Sequence, residues 1–229
     1  MKIKSLSFCI PACGMRETLL RRAINSIHYQ DIDIPYEINV YGMTRLIDQP
    51  GKDLRVQSVD PINFKINEED PKHCRINAMF NRLAEMSKGD FLVYMGDDQE
   101  LIYRWWEAAK QLDMNDFDLT VFPCFQFEKG KEPVEWYSWN TNKNGIHHKH
   151  WNERTDEFTY ISSGCLIIRR EIVLKMKWDE KTHRGGDFNF CQRCFKSGYR
   201  LRAYDFMRRA YSIHYLAEAP YRIGENIKE

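Results

Sequence analysis

No run of 18 apolar residues occurs anywhere in the 229, so a membrane-spanning helix is not expected. No charge of one sign dominates: 34 Lys and Arg stand against 33 Asp and Glu. That balance exerts no general pull toward nucleic acid or an anionic membrane, although a local basic face stays open. Cysteines do not come in an even set. There are seven, at Cys9, Cys13, Cys74, Cys124, Cys165, Cys191 and Cys194. Scattered through apolar segments, they read as reduced thiols of a cytosolic protein. Cys191 and Cys194 form a CxxC with no second pair to complete a zinc site, and the spacing also suits two buried positions one helical turn apart. Internal repeats and a dividing linker are both missing. The N-terminus, MKIKSLSFCIPACG, is basic and then apolar, but its apolar part is short and broken by Ser7 and Pro11. It reads as a first strand, not as a leader.

What is present is ample for a core: 43% hydrophobic and 14% aromatic residues, in a length that suits one large domain or two small ones. Leu6, Phe8 and Ile10 alternate toward Pro11 and predict a strand. Leu19, Leu20, Ala23, Ile24 and Ile27 repeat at helical spacing and predict a helix over Thr18–His28. Strands are predicted at Tyr36–Tyr41 and Leu54–Val59, and a helix over Arg75–Ser87 that Gly89 ends. Further on, the spacing predicts a helix over Leu101–Leu112, a strand from Leu119 to Phe127 that Pro123 makes an edge or a bulge, a buried run at Cys165–Ile168, a helix from Arg170, a helix around Phe190–Phe195 and a strand at Tyr199–Ala203. Strands alternating with helices indicate a mostly parallel, doubly wound sheet.

The densest chemical signal is Gly89–Glu100, GDFLVYMGDDQE. Phe91–Met95 is continuously apolar, as a strand buried on both faces of a parallel sheet is. Asp97 and Asp98 follow where such a strand leaves the sheet, at the edge where open α/β sheets bind ligands. Two adjacent carboxylates repel each other, so a cation is expected beside them; oxygen ligands favour Mg or Mn. Gly-Asp-Asp also makes a good polar turn. The segment 128–157 shows no period but is rich in Trp, Asn, His and Lys, among them Trp136, Trp139 and Trp151. Such a stretch reads as an acceptor-binding loop that stacks on sugars or bases, or as a self-packed surface loop.

The order of these pieces resembles the GT-A glycosyltransferases, in particular the family 2 type, from about Lys4 to about His214. SFCIPACGMRETLLRRAINSI is similar to that family's opening strand, loop and helix. RINAMFNRLAEMSKGDFLVYMGDD is similar to its Arg-Asn helix and the strand that ends in Asp-x-Asp. SSGCLIIRREI is similar to the small-residue strand before its acceptor-side helix, and GGDFNFCQR to the segment with the catalytic carboxylate. The resemblance implies an α/β, single-domain GT-A fold over 1–229: Rossmann-like, a mostly parallel sheet flanked by helices. Its nucleotide-sugar half would span about 1–100 and its acceptor half about 101–229. It also implies transfer of a sugar from a nucleotide-diphosphate sugar, expected to be a UDP-sugar, to a hydroxyl, with Mn or Mg.

Carried over residue by residue, Asp98 matches the last Asp of Asp-x-Asp, with Gly96 where the first Asp stands and Asp97 in the middle. His214 falls where some GT-A enzymes place a far metal ligand. Asp187 matches the general base of inverting members, with Gly186 in place of the usual Glu. Pro11, Ala12, Cys13, Gly14, Arg16 and Glu17 would line the nucleotide, as would Arg75, Asn77, Gly96 and Asp97. Tyr41 and Gly42 stand where the family has an Asp. Gly186 with Trp136, Trp139 and Trp151 would face the acceptor, which could be a glycan, a lipid-linked saccharide, a protein or a modified nucleobase. Two other classes are open. Nucleotidyl transfer also uses metal-binding aspartates, but it calls for an early Gly-rich basic loop, and PACGMRE has one Gly and one Arg. A non-catalytic nucleotide- or sugar-binding module would explain the altered motifs.

Overall fold

The computed structural model describes residues 2–13, 16–46, 54–58, 76–122, 124–127, 134–136, 139–140, 160–161, 165–182, 186–203 and 211–215. The strands of its main sheet are β1 (Leu6–Cys13), β2 (Tyr36–Met43), β3 (Leu54–Ser58), β4 (Phe91–Tyr94), β6 (Leu119–Val121), β11 (Leu166–Arg169) and β12 (Leu201–Ala203). They lie in the order β12-β6-β11-β4-β1-β2-β3. Pairings β1·β2, β1·β4, β2·β3 and β6·β12 are parallel, and β11 alone runs against its neighbours β4 and β6. The sheet is therefore mostly parallel, as expected, and it draws strands from both halves of the chain.

Among the described residues five helices accompany it: α1 (Glu17–His28), α2 (Ile76–Met86), α3 (Trp105–Ala109), α4 (Arg170–Met176) and α5 (Gly186–Lys196). The continuous apolar strands are explained by two cores, one on each face. Phe8, Ile10, Ile38, Val40 and Val93 pack with Ala23, Ile24 and Ile27 of α1 and Trp105 of α3. The alternate residues Cys9, Leu92 and Tyr94 pack with Phe80 and Leu83 of α2, Ile172 and Val173 of α4, and Phe190 of α5. Each such aliphatic or Phe side chain contributes roughly 1.5–3 kcal/mol by leaving water. Trp178 joins α2 to α5: it stacks on Phe190 at 4.1 Å and 12° and lies 5.0 Å from Phe80. Cys191 and Cys194 are both buried on this inner face of α5, and burial pushes the thiols of Cys9, Cys165 and Cys194 up to about 12. They are packing residues, un-ionised at neutral pH. Among the described residues five cysteines are free thiols, and no helix is long and apolar enough to cross a membrane.

The helix expected over Leu101–Leu112 is corrected. Gln99–Leu101 form β5, Arg104 takes a left-handed φ of 74°, and only Trp105–Ala109 are α-helical. The cause lies far along the chain: β13 (Ser212–Tyr215) pairs antiparallel with β5, and Ile102 N donates to Tyr211 O at 2.9 Å. The strand expected from Leu119 to Phe127 is likewise two. β6 belongs to the main sheet, whereas β7 (Cys124–Phe127) pairs parallel with β13 and antiparallel with β8 (Val134–Trp136). The result is a second sheet, β5-β13-β7-β8. A two-stranded ribbon joins β9 (Trp139–Asn140) to β10 (Tyr160–Ile161).

Candidate functional site

β4 ends beside the middle of β1, where Tyr94 pairs with Cys9 and Met95 N donates to Cys9 O at 3.1 Å, while β1 runs on to Cys13. Beyond Met95 the chain turns tightly: Gly96 N donates to Gln99 Oε1 at 2.7 Å and Gln99 N to Gly96 O at 3.2 Å. The turn leaves no room for a side chain at position 96, where a Cβ would lie 2.4 Å from Asp98 Oδ1. Asp97 and Asp98 are thereby set at the carboxyl edge of the sheet, each 3% exposed.

Two buried carboxylates side by side require a counter-charge. Arg16, just before α1, supplies it. Its Nη1 donates to Asp97 Oδ1 at 2.9 Å and to Asp98 Oδ2 at 2.6 Å, and the residue is 8% exposed. On the other side His214 Nε2 lies 3.4 Å from Asp98 Oδ2. β13 delivers this imidazole, anchored where Tyr215 N donates to Asp98 O at 3.0 Å. Burial raises the Asp98 carboxyl, but its hydrogen bond to His214, the charge of that ring and the Arg16 guanidinium together hold it below its ordinary value. Asp98 is therefore an anion at neutral pH.

The donor chemistry here, two carboxylates and an imidazole, is that of a divalent-cation site. Among the described residues no three His, Cys, Asp or Glu side chains are placed to hold an ion, and Arg16 is in contact with both carboxylates. The sequence led to the expectation of a cation beside Asp97 and Asp98; the one in contact with them belongs to the chain itself.

A second group of polar residues joins α2 to α5. Helix α2 precedes β4 and brings the chain back along the sheet, so its first turn lies at the edge where β4 ends. Asn77 sits in that turn, 4% exposed. Its Nδ2 donates to Asp179 O and to Thr182 O, both at 2.8 Å. One turn on, Asn81 Nδ2 donates to Trp178 O at 2.9 Å and Asn81 Oδ1 accepts from Trp178 N at 2.8 Å. The two amides pin residues 178–182, which lead into α5. Gly186 opens that helix against Asn77: a Cβ there would meet Asn77 Nδ2 at 2.5 Å. Asp187 stands in the first turn of α5, and its Oδ1 accepts from Phe188 N at 3.0 Å.

Asn77 was expected to contact the nucleotide; its amide N–H groups are instead committed to the 178–182 loop. Asn77→Ala is accordingly expected to lower kcat of any transfer roughly tenfold or more by loosening the approach to Asp187, with the donor KM little changed. Steady-state kinetics would separate this from a nucleotide contact, whose loss would raise the donor KM.

Pro11 and Ala12 are buried at the end of β1. Cys13 is the last residue of that strand. Glu17 pins the exit of β2: its Oε1 accepts from Thr44 Oγ1 at 2.7 Å and from Arg45 N at 2.5 Å. Trp136 and Trp139 fall in β8 and β9. Gly14, Arg75 and Trp151 lie outside the described residues. Sequence reasoning missed Gln99, which is 3% exposed and closes the Gly96 turn; its only signal was a polar residue directly after the carboxylates. It also missed Asn81, one helical turn after Asn77.

No protein-family model matches this chain, and no curated protein does. Solved structures do. A structure of residues 1–349 of S. aureus TarS in complex with UDP-GlcNAc superimposes with a TM-score of 0.64 at 17% identity, covering 96% of this chain and 60% of that one. The same fragment in complex with UDP gives 0.59 at 16% identity, with 93% and 60% covered. A further TarS structure gives 0.62 at 17% identity, with 93% of this chain and 37% of that one covered. The chain spans between about a third and three fifths of the TarS chains it matches. At this identity the likeness speaks to architecture: the chain has the GT-A fold that the sequence resemblance implied.

Proposed function

We propose that the protein is a family-2-like glycosyltransferase that moves a sugar from a nucleotide-diphosphate sugar, a UDP-sugar in the first instance, to an acceptor hydroxyl with inversion. The observation that carries this reading is the buried Asp97–Asp98 pair just past the carboxyl end of β4, on the edge toward which β1 also runs, on a fold shared with TarS, a GT-A-type glycosyltransferase seen in complex with UDP and UDP-GlcNAc. The donor would lie over the ends of β1 and β4, with residues 1–100 forming most of its site and 101–229 the acceptor side. His214 crosses that division to reach Asp98.

In the transfer, the acceptor oxygen attacks the anomeric carbon as its proton passes to the Asp187 carboxylate. The bond from that carbon to the diphosphate oxygen breaks, and the nucleoside diphosphate leaves with the electron pair. One carboxylate suffices for this single displacement. Turned away from the carboxylates, the guanidinium of Arg16 would meet the negative charge that grows on the leaving group, and fixed charges in a buried site stabilise such growth more than water does. Mn or Mg enters this reading only if Arg16 gives way. Free cysteines fit a reducing compartment, the cytoplasm. The acceptor is a glycan, a lipid-linked saccharide, a protein or a modified nucleobase.

Asp98→Ala tests the reading. Release of nucleoside diphosphate from the donor is expected to fall at least about a hundredfold, with transfer falling in step. Unchanged turnover in that variant would remove Asp98 from the site and the reading with it.

A further inference from the structure

The contact between Arg16 and both aspartates has a consequence for cation binding that rests on the donor-site reading above. We infer that Arg16 is the resident counter-ion of the Asp97–Asp98 pair and competes with a divalent cation for the same oxygens.

The group formed by Asp97, Asp98 and Arg16 is almost entirely shielded from water, with side-chain exposures of 5%, 4% and 6%. One nitrogen, Nη1, reaches an oxygen of each carboxylate. A hard divalent cation on this pair would need those lone pairs and would sit against a guanidinium of like charge. Arg cannot relieve that repulsion by losing a proton. It must therefore move. Arg16 occupies the N-cap position of α1 without a side-chain cap bond, so that movement costs the helix no side-chain cap. The remaining ionisable neighbour in contact with Asp98 is His214. With that ring neutral, the group carries one net negative charge, which repels a diphosphate. A divalent ion in place of Arg16 would cancel the two carboxylate charges and would leave the planar guanidinium, which suits phosphate oxygens, as a net positive charge near the donor site. The Arg16 clasp thus keeps the carboxylates satisfied before the donor arrives and weakens the affinity of the empty site for free metal.

The test is direct binding of Mn2+, followed by the loss of its free-ion EPR signal, in wild type and in Arg16→Met, without nucleotide. The expected result is at least a tenfold tighter Kd for Mn2+ in the variant. A second readout is the melting temperature. Arg16→Met should melt below wild type in chelator and recover on adding Mn2+, while wild type responds little. If the methionine variant does not fold, Arg16→Lys replaces it. A compact ammonium reaches two carboxylates less well than the fork does, and an intermediate Mn2+ affinity is expected. Equal Mn2+ affinities in wild type and variant would overturn the inference, as would binding to neither. Calorimetry with UDP on the same samples keeps the two claims apart. UDP binding together with equal Mn2+ affinities removes the competition and leaves the donor site standing; absence of UDP binding removes the donor site itself.

Discussion

Asp187→Asn is expected to reduce sugar transfer roughly a hundred- to ten-thousandfold, the usual worth of a positioned general base, while the donor binds as it does to wild type. The substitution isolates the chemistry. Asn serves a helix N-terminus nearly as well as Asp does, so the first turn of α5 and the packing of Phe190, Cys191 and Cys194 beneath it are retained. Thermal melts should agree within about 1 kcal/mol, because Asp187 is a partly exposed first-turn residue whose bond to Phe188 N an amide oxygen can also accept. Stopped assays of transfer, run beside calorimetry of the donor, would show the two effects separately. Unaltered transfer would reduce Asp187 to a helix-start residue and leave the acceptor proton without its assigned acceptor.

The second large effect runs against the motif. Gly96→Asp would restore the Asp-x-Asp pattern of the family that the sequence resembles, yet it is expected to lower donor turnover at least about a hundredfold, because transition-state charge depends on groups fixed in place. The reason is steric. The new Cβ would land 2.4 Å from Asp98 Oδ1, and the Asp98 carboxylate cannot retreat without breaking its contacts with Arg16 and His214. A third carboxylate would also join a buried pair that has one guanidinium in contact with it. Gly96→Ala should lose nearly as much, which separates crowding from charge. Activity above wild type in Gly96→Asp would mean that Asp98 moves freely and that the described turn is not the working one.

The same reasoning accounts for the other departure, beside Asp187. Gly186 replaces a Glu of the family pattern, and any side chain there would press on Asn77, which two carbonyls hold in place. Both glycines look like weakened motifs in the sequence. In the structure each is a position where a neighbouring functional group takes the space of a Cβ.

This difference marks what was legible in the chain. β1, α1, β2, β3, α2 and β4 follow from local patterns, because each has apolar residues at the period of its own structure and a core face to bury them on. The placing of Asp97 and Asp98 at a strand's carboxyl end follows from the same run. The helix expected over Leu101–Leu112 fails because β13, more than a hundred residues later, claims Gln99–Leu101 as a strand partner; no local period records such a pairing. The split of Leu119–Phe127 has the same origin, since β6 and β7 answer to partners in different sheets. Arg16 was legible as a site residue but not as the counter-ion, a contact made across 81 and 82 positions. Asn77 was legible as a residue of the site region; its bonds to Asp179 and Thr182 span more than a hundred positions, and only the fold discloses them.

The central claim is that the carboxyl ends of β1 and β4 hold a nucleotide-sugar donor. It is tested most directly by titrating a panel of nucleotide sugars into wild type and Asp98→Ala, with and without Mn2+, and following heat of binding and slow donor hydrolysis. The account predicts that a UDP-sugar binds and is slowly hydrolysed by wild type, and that Asp98→Ala loses both. Binding by no nucleotide sugar under either condition, or binding that Asp98→Ala leaves intact, would contradict it.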